Sequence, residues 1–351
     1  MPTHHPEFRF TRPGALIAAL PAVLGFVPEK SLVLVSLAEG RMGAVMRADL
    51  AADLIDNLDR LAELAATSGA EAVVAVIVDD DGALCPMCGA DHRELGEALN
   101  AALAERGVSL YGAHVVDRVE AGGSWHCIDG CGVSGVVEDP TASPMAVAAV
   151  LDGRRLYGRR SDLHAVIAAV DAERSAGLVE SIEAHSAIRR VEWQADPDGR
   201  GRRDVERVIE LAGRVLEGLE PVDAEVADIA CGLTDVAVRD TVYALAVGAE
   251  AASAEALWAL LARILPDPWR VEALVLLAFS AYARGDGPLA GISLEAALRS
   301  DPDHRMAGML DTALQSGMRP EQIRELGGTG YRIAKRLGVR LPPRRMFGRA
   351  G

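Results

Sequence analysis

Two apolar-rich runs, Leu32 to Leu37 and Arg41 to Leu50, are separated only by Ala38, Glu39 and Gly40, a spacing that predicts a β-hairpin. The period then changes, and Leu54, Leu58, Leu61 and Ala65 fall on one face of a helix within 51–68. Glu71 to Val78 is a continuous apolar run ending in Asp79, Asp80, Asp81 and Gly82, as expected of a central strand covered on both faces. Leu95, Ala98, Leu99, Ala102 and Leu103 follow at the spacing of a helix that faces a core, and Ser109 to Val116 reads as the next strand. This alternation of strand and helix implies an N-terminal α/β domain with a mainly parallel mixed sheet and right-handed crossovers.

Past a Gly122-Gly123 turn, a short strand is expected around Trp125 to Ile128, then a loop rich in glycine and proline up to Pro140. Ser143 and Pro144 make an N-cap and first-turn pair, and from there the pattern is helical. The polar stretch Asp196 to Arg203 is the best linker candidate. The chain therefore reads as α+β overall: an α/β domain with trailing helices (11–195), an all-helical TPR-like region (204–326) and a basic tail (327–351). The repeat reading takes Pro302 as the terminal proline of a tetratricopeptide unit of about 34 residues, here 271–304. That register puts Leu277, Ala278, Ala290, Leu294 and Ala297 where helix pairs need small or apolar residues, with Gly285 to Pro288 as the turn. One repeat cannot bury its own face; Leu257, Leu261, Ile264 and Leu265 before it, and Met309, Leu310 and Leu314 after it, are the candidate partners. An ordinary helical bundle with one chance match is the alternative.

With 351 residues, half of them apolar, the chain can bury a substantial core. Its net charge of −15 argues against broad affinity for nucleic acid or anionic lipid. Arg9 and Arg12 ahead of the apolar run Ala15 to Val27 superficially resemble a signal peptide, but Pro21 interrupts the run and Glu29 and Lys30 lead straight into the next apolar segment. The run is also too short to span a bilayer, so no membrane association is expected. Five cysteines, an odd count, fit a reducing cytoplasm in which thiols stay free or bind metal.

Cys85-Pro86-Met87-Cys88-Gly89 has the form of a zinc knuckle, and Cys127 with Cys131 offers a second pair. Together they suggest one structural zinc, with His92 or His126 as substitute ligands. A redox-active or disulfide-forming pair and unliganded thiols are the alternatives. Cys231 reads as a small core residue. Asp79, Asp80 and Asp81 follow the central strand and Asp49 closes an earlier one, at the carboxyl edge where open α/β sheets bind ligands. Such carboxylates are candidates for a magnesium-dependent hydrolase or phosphotransferase. Acidic residues before glycine are also routine turn chemistry, and no nucleophile or phosphate loop accompanies these. His92 is expected on the exposed start of its helix. Gly130-x-Gly132-x-x-Gly135 matches a dinucleotide fingerprint but lacks its β-α context, and Gly327 to Gly330 is likewise isolated. The tail from Arg332 carries basic residues and no acidic ones, a composition suited to nucleic acid or an acidic partner and equally to docking on the protein's own acidic surface or to staying solvated.

Thr11-Arg12-Pro13-Gly14, Leu20-Pro21, Leu24-Gly25-Phe26-Val27-Pro28-Glu29 and Ser31-Leu32-Val33-Leu34-Val35 resemble the hallmark of domain-of-unknown-function family 4192 of high-GC Gram-positive, actinobacterial bacteria. Trp125 with Cys127 and Cys131, then Ser143-Pro144, Ala146 to Ala149 and Gly153, resemble its central segment. Leu277-Ala278, Tyr282, Gly285-Asp286-Gly287, Ala290 and Asp301-Pro302 resemble its C-terminal helical repeat. The resemblance implies an architecture and no activity, and the Cys85–Cys88 knuckle stands outside it. Two functions are consistent with these residues. One is a non-catalytic, cytoplasmic interaction or regulatory module that presents its helical repeats to a protein or peptide partner. The other is a metal-dependent hydrolase or small-ligand binder at the carboxyl edge.

Overall fold

The computed structural model of the chain describes residues 12–38, 40–51, 53–83, 85, 88–151 and 155–345. Arg9, Thr11, Glu39, Pro86, Met87 and Gly153, each read above, and residues 346–351 of the basic tail lie outside them. The described residues form two compact units, one running to Arg160 and one beginning at Ser161.

The first unit holds α1 (Pro13–Leu24), the hairpin β1 (Ser31–Ala38) and β2 (Arg41–Asp49), α2 (Leu58–Thr67), β3 (Ala72–Val78) and α3 (Cys88–Ala104). After these come β4 (Ser109–Val116), β5 (Ser124–Cys127), β6 (Ser134–Val136) and α4 (Pro144–Leu151). The six strands form one sheet in the order β2-β1-β3-β4-β5-β6. Only β3 and β4 pair in parallel; every other neighbouring pair is antiparallel. A mainly parallel sheet was expected, and the hairpin is why a mostly antiparallel one forms. β2, β3 and β4 all run the same way, as strand–helix alternation requires, but β1 lies between β2 and β3 and opposes both. The connection through α2 thus skips a strand. The short edge strand β6 falls inside what reads in the sequence as a glycine-rich loop.

Alternation assigns the two faces of the sheet. Leu32, Leu34, Val73, Ala75, Ile77, Ala113 and Val115 form a core with Leu58, Ala62 and Ala65 of α2 and Leu95, Leu99 and Leu103 of α3. Val33, Val35, Val74, Val76, Val78 and Val116 point the other way and are buried as well, so β3 is covered on both faces. The run rejected above as a leader is α1: Pro13 opens it, and Gly25 closes it with φ 76°, its amide donating to the carbonyl of Pro21. Trp125, opposite Val116, shares the face on which α1 packs. A Cβ on Gly14 would overlap the carbonyl oxygen of Val136 and come within 3.2 Å of the Trp125 indole nitrogen.

The second unit is helical among the described residues: α5 (Arg160–Ala165), α6 (Ala172–Ala195), α7 (Pro197–Leu216), α8 (Asp223–Leu233), α9 (Val236–Val242), α10 (Ala251–Ile264), α11 (Trp269–Ala283), α12 (Gly287–Ser300), α13 (Arg305–Gln315) and α14 (Pro320–Leu337). The stretch read as a linker, Asp196 to Arg203, is the start of α7. Pro197 sits in its first turn, and the Asp196 carboxylate accepts the amide of Gly199 at 2.9 Å. Residues that signal a break here make a helix start. Arg200, in the next turn, is buried against Asp204 and Asp228 at 2.7 Å each, and Asp204 also takes Arg189 at 2.6 Å.

α11 and α12 pack as a helical hairpin. Gly285, at φ 88°, and the Asp286 N-cap make its turn. Leu277, Ala278, Ala290, Leu294 and Ala297 are all completely buried. The glycines of 327–330 lie inside α14, where a Cβ on Gly330 would come within 2.6 Å of the Thr241 carbonyl. They serve close helix packing. Among the described residues no helix is long and apolar enough to cross a membrane.

Candidate functional site

Because β1 runs against β2 and β3, its first residues meet the last residues of those strands at the carboxyl edge: Ser31 is paired with both Asp49 and Val78. Lys30, one residue earlier, is a non-glycine residue held at φ 42°, in the left-handed region. Its ammonium sits among the three aspartates, 2.6 Å from Asp79, 2.9 Å from Asp80 and 2.8 Å from Asp81. These hydrogen bonds, strongest to Asp79, raise the Lys30 pKa further above its ordinary value, so it is a fixed cation. Partial burial pushes the Asp79 carboxyl up. Lys30, the Gly82 amide and His92 more than offset this and hold it below the usual carboxylate range. Lys30 does the same for the exposed Asp80. Asp49 stands apart, paired with Arg47 at 2.5 Å and Arg160 at 3.4 Å.

His92 is not on an exposed helix start. It is buried, and its Nε2 lies 3.0 Å from Asp79 Oδ2, while Nδ1 has no hydrogen-bond partner among the described residues. The face of α3 that carries Leu95 and Leu99 continues backward through His92, which turns the ring toward the end of β3. The three carboxylates of the aspartate cluster therefore share one cation, and the Lys30 ammonium stands where a metal ion bridging them would have to sit.

The Cys88 amide donates to Cys85 Sγ at 3.5 Å, the turn expected of a knuckle, and this pair sits at the head of α3. Cys127 is elsewhere. It pairs across the strands with His114, and directly opposed residues of an antiparallel pair share a face. Val115 belongs to the α3 side, so His114 and Cys127 face away from it, while His126, opposite Val115, faces toward it. The structure does not bring the four sulfurs together. Among the described residues, the donor atoms within 4.8 Å of one another are those of Cys127, Asp129 and Cys131. A cluster of this composition can hold a metal ion.

Gly130 and Gly132, at φ 71° and 80°, shape the turn that gathers these three side chains, and Asp129 Oδ1 accepts the Cys131 amide at 3.0 Å. His114 Nδ1 lies 3.5 Å from Cys127 Sγ. Burial pushes the Cys127 thiol up to about 11, helped by the neighbouring Cys131 and Asp129. Burial also lowers the His114 pKa, keeping its imidazole neutral at physiological pH.

The helical unit carries a cleft of about 500 Å³ lined by Ser186, Arg189, Arg190 and Trp193 of α6 and by Cys231, Thr234, Asp235 and Val236 at the end of α8 and start of α9. Arg189 is consumed by Asp204 and Asp235, whereas Arg190 is exposed and makes no ion pair with a described residue. Cys231 is buried at the floor, 3.1 Å from Ser186 Oγ and 3.2 Å from the Ile182 carbonyl, and burial raises its pKa. It is a core thiol, as its helical position predicts. Within the cleft lining, Trp193 and Val236 are exposed apolar side chains.

A family model described as a domain of unknown function (DUF4192) matches residues 13–321, both units included. The chain belongs to this family. A search of the curated proteins finds no match to it, and neither does a search of the solved structures.

Family membership fixes no chemistry, so the sites rest on their geometry. Three residues that matter there escape the sequence reading. Lys30 is hidden because the antiparallel β1 brings a chain segment 49 residues distant in sequence to Asp79. Asp129 is visible only as a turn residue between the cysteines, and His114 only as one position of a strand. Strand pairing is the signal that would have found His114.

Proposed function

We propose that the protein is a non-catalytic, cytoplasmic interaction module whose helical unit receives a peptide segment of a partner protein. The observation that carries this reading is the cleft between α6 and the α8–α9 junction, whose lining includes the exposed Trp193, Val236 and Arg190. A segment with an aliphatic anchor followed by a carboxylate complements that surface, the anchor against the indole and the carboxylate on the free guanidinium of Arg190. The stacking of α10 to α13 supports a TPR-like reading of 271–304, in which one helical hairpin leans on the next. The alternative, metal-dependent hydrolysis at the carboxyl edge, is disfavoured because the Lys30 ammonium already occupies the space between Asp79, Asp80 and Asp81. One structural zinc belongs to this reading as a brace of the N-terminal unit.

The test is a selection from a displayed random-peptide library on the full-length chain, followed by affinity measurement of the enriched peptides on Trp193→Ala and Arg190→Glu. Enrichment of acidic peptides with an aliphatic anchor, and at least a tenfold loss of affinity on both variants, is expected. No enrichment, or peptides that bind the variants as well as the parent, refutes the reading.

A further inference from the structure

We infer that Cys127, Asp129, Cys131 and His114 are the ligand set of one zinc ion that staples the β5–β6 turn to β4. This rests on the zinc reading above but moves the ion away from the Cys85–Cys88 knuckle.

The first ground is convergence of exposed donors. Ile128 anchors the turn on the core and backbone hydrogen bonds close it, but Asp129 and Cys131 are exposed and gain no burial by meeting Cys127. Yet the donor atoms of Cys127, Asp129 and Cys131 lie within 4.8 Å of one another. A tetrahedral ion with Zn–S of about 2.3 Å sets two sulfurs about 3.8 Å apart, so the cluster needs only a small contraction to close on it.

The second ground is His114. For Zn–S of about 2.3 Å and Zn–N of about 2.0–2.1 Å, the sulfur–nitrogen edge of a tetrahedron is about 3.5 Å. Cys127 Sγ and His114 Nδ1 are 3.5 Å apart, and strand pairing holds them on one face. His114 approaches the cluster from the Cys127 side and must move closer to Asp129 and Cys131 to complete the set. The third ground is donor chemistry: two thiolates with an imidazole and a carboxylate suit zinc and exclude magnesium and calcium, which take oxygen ligands. The Cys131 amide on Asp129 Oδ1 leaves Oδ2 for the metal and orients it, as outer-shell hydrogen bonds do.

The ion would be structural. Four protein donors leave no open position for water or substrate. It would cross-link β4 to the turn between β5 and β6, at the β6 edge of the sheet.

The experiment uses the tag-free full-length chain and zinc or cobalt(II) alone as the probe. About one ion per chain is expected, with a cobalt spectrum of tetrahedral thiolate coordination. Cys131→Ser removes an exposed sulfur that fills no core, so it folds. It should lower zinc affinity at least about 100-fold, and His114→Gln about 10–100-fold. Cys85→Ser should leave affinity and spectrum unchanged. No uptake, uptake indifferent to Cys131→Ser, or loss of the ion in Cys85→Ser overturns the assignment; indifference to His114→Gln removes His114 from the set. Peptide capture by the helical unit is read in a separate assay, so either proposal can fail alone.

Discussion

Replacing Gly14 by alanine tests how α1 is seated on the sheet. A glycine near the start of a helix usually gains from the change, because alanine is favoured by up to about 1 kcal/mol per helical residue. Here the new Cβ would overlap the Val136 carbonyl and lie 3.2 Å from Trp125 Nε1, which itself donates to that carbonyl at 3.3 Å. The obstacle is backbone on one side and a buried indole on the other, so neither can swing aside as a flexible side chain would. Forcing a methyl group into such a contact costs about 1–3 kcal/mol. Weakening the indole hydrogen bond adds about 1 kcal/mol. Against the helix gain, a net loss of about 1–3 kcal/mol remains. For a unit of this size each kcal/mol lowers the melting temperature by about 2–4 °C. Thermal and urea unfolding of Gly14→Ala, followed by circular dichroism, should therefore show a drop of roughly 2–12 °C. Gly89→Ala, in the first turn of α3 with open space around its Cβ, is the control and should be neutral or slightly stabilising. Equal stability of the Gly14→Ala and parent proteins would refute the close approach of α1 to β6.

Asp204→Ala should destabilise the helical unit by about 3 kcal/mol, because Arg189 and Arg200 lose a shared, almost fully buried carboxylate. Arg200 keeps Asp228 and Glu192, which places the cost at the low end for a broken buried pair; a loss under about 1 kcal/mol by denaturant titration would contradict the network. Lys30→Met tests the compensated edge through pH. The depressed Asp79 pKa contributes stability that is fully present above the unfolded value near pH 4 and is lost as pH falls through the lower folded value. The parent should lose stability over that acid range while Lys30→Met, already weaker at neutral pH, loses less. Parallel stability curves down to about pH 2 would show that Lys30 does not hold the aspartates.

Local periodicity was enough for β1, β3, β4, α2 and α3, because each buries one consistent set of side chains. Sheet order was not legible: nothing in the alternation of strand and helix says that β1 returns between β2 and β3. The position of Lys30 depends on that order, and with it the state of the aspartates. The Asp196–Pro197 signal misled because the chemistry that starts a helix also marks a break, and only packing separates the two. Gly327 and Gly330, read in the sequence only as an isolated glycine motif, are in α14 the surface that lets Tyr243–Val247 come close.

The residues by which the chain resembles its family divide into two kinds once their surroundings are known. Gly14 clears the Val136 carbonyl, and Trp125 is buried and hydrogen-bonded to it. Ser143 caps α4 by accepting the Ala146 amide at 3.1 Å, and Leu277, Ala278 and Ala290 are core. Packing accounts for all of these, which is why the resemblance predicts architecture and is silent on activity. Cys127 and Cys131 belong to the same segment and are not explained that way, since one is half-buried and the other exposed. A thiol that contributes little to the core and has two other donors within coordinating distance is better explained by a ligand than by packing. The Cys85–Cys88 pair stands outside the resemblance. The donors gathered around Cys127 are the physical reason for looking at the β5–β6 turn, and not the knuckle, for the metal.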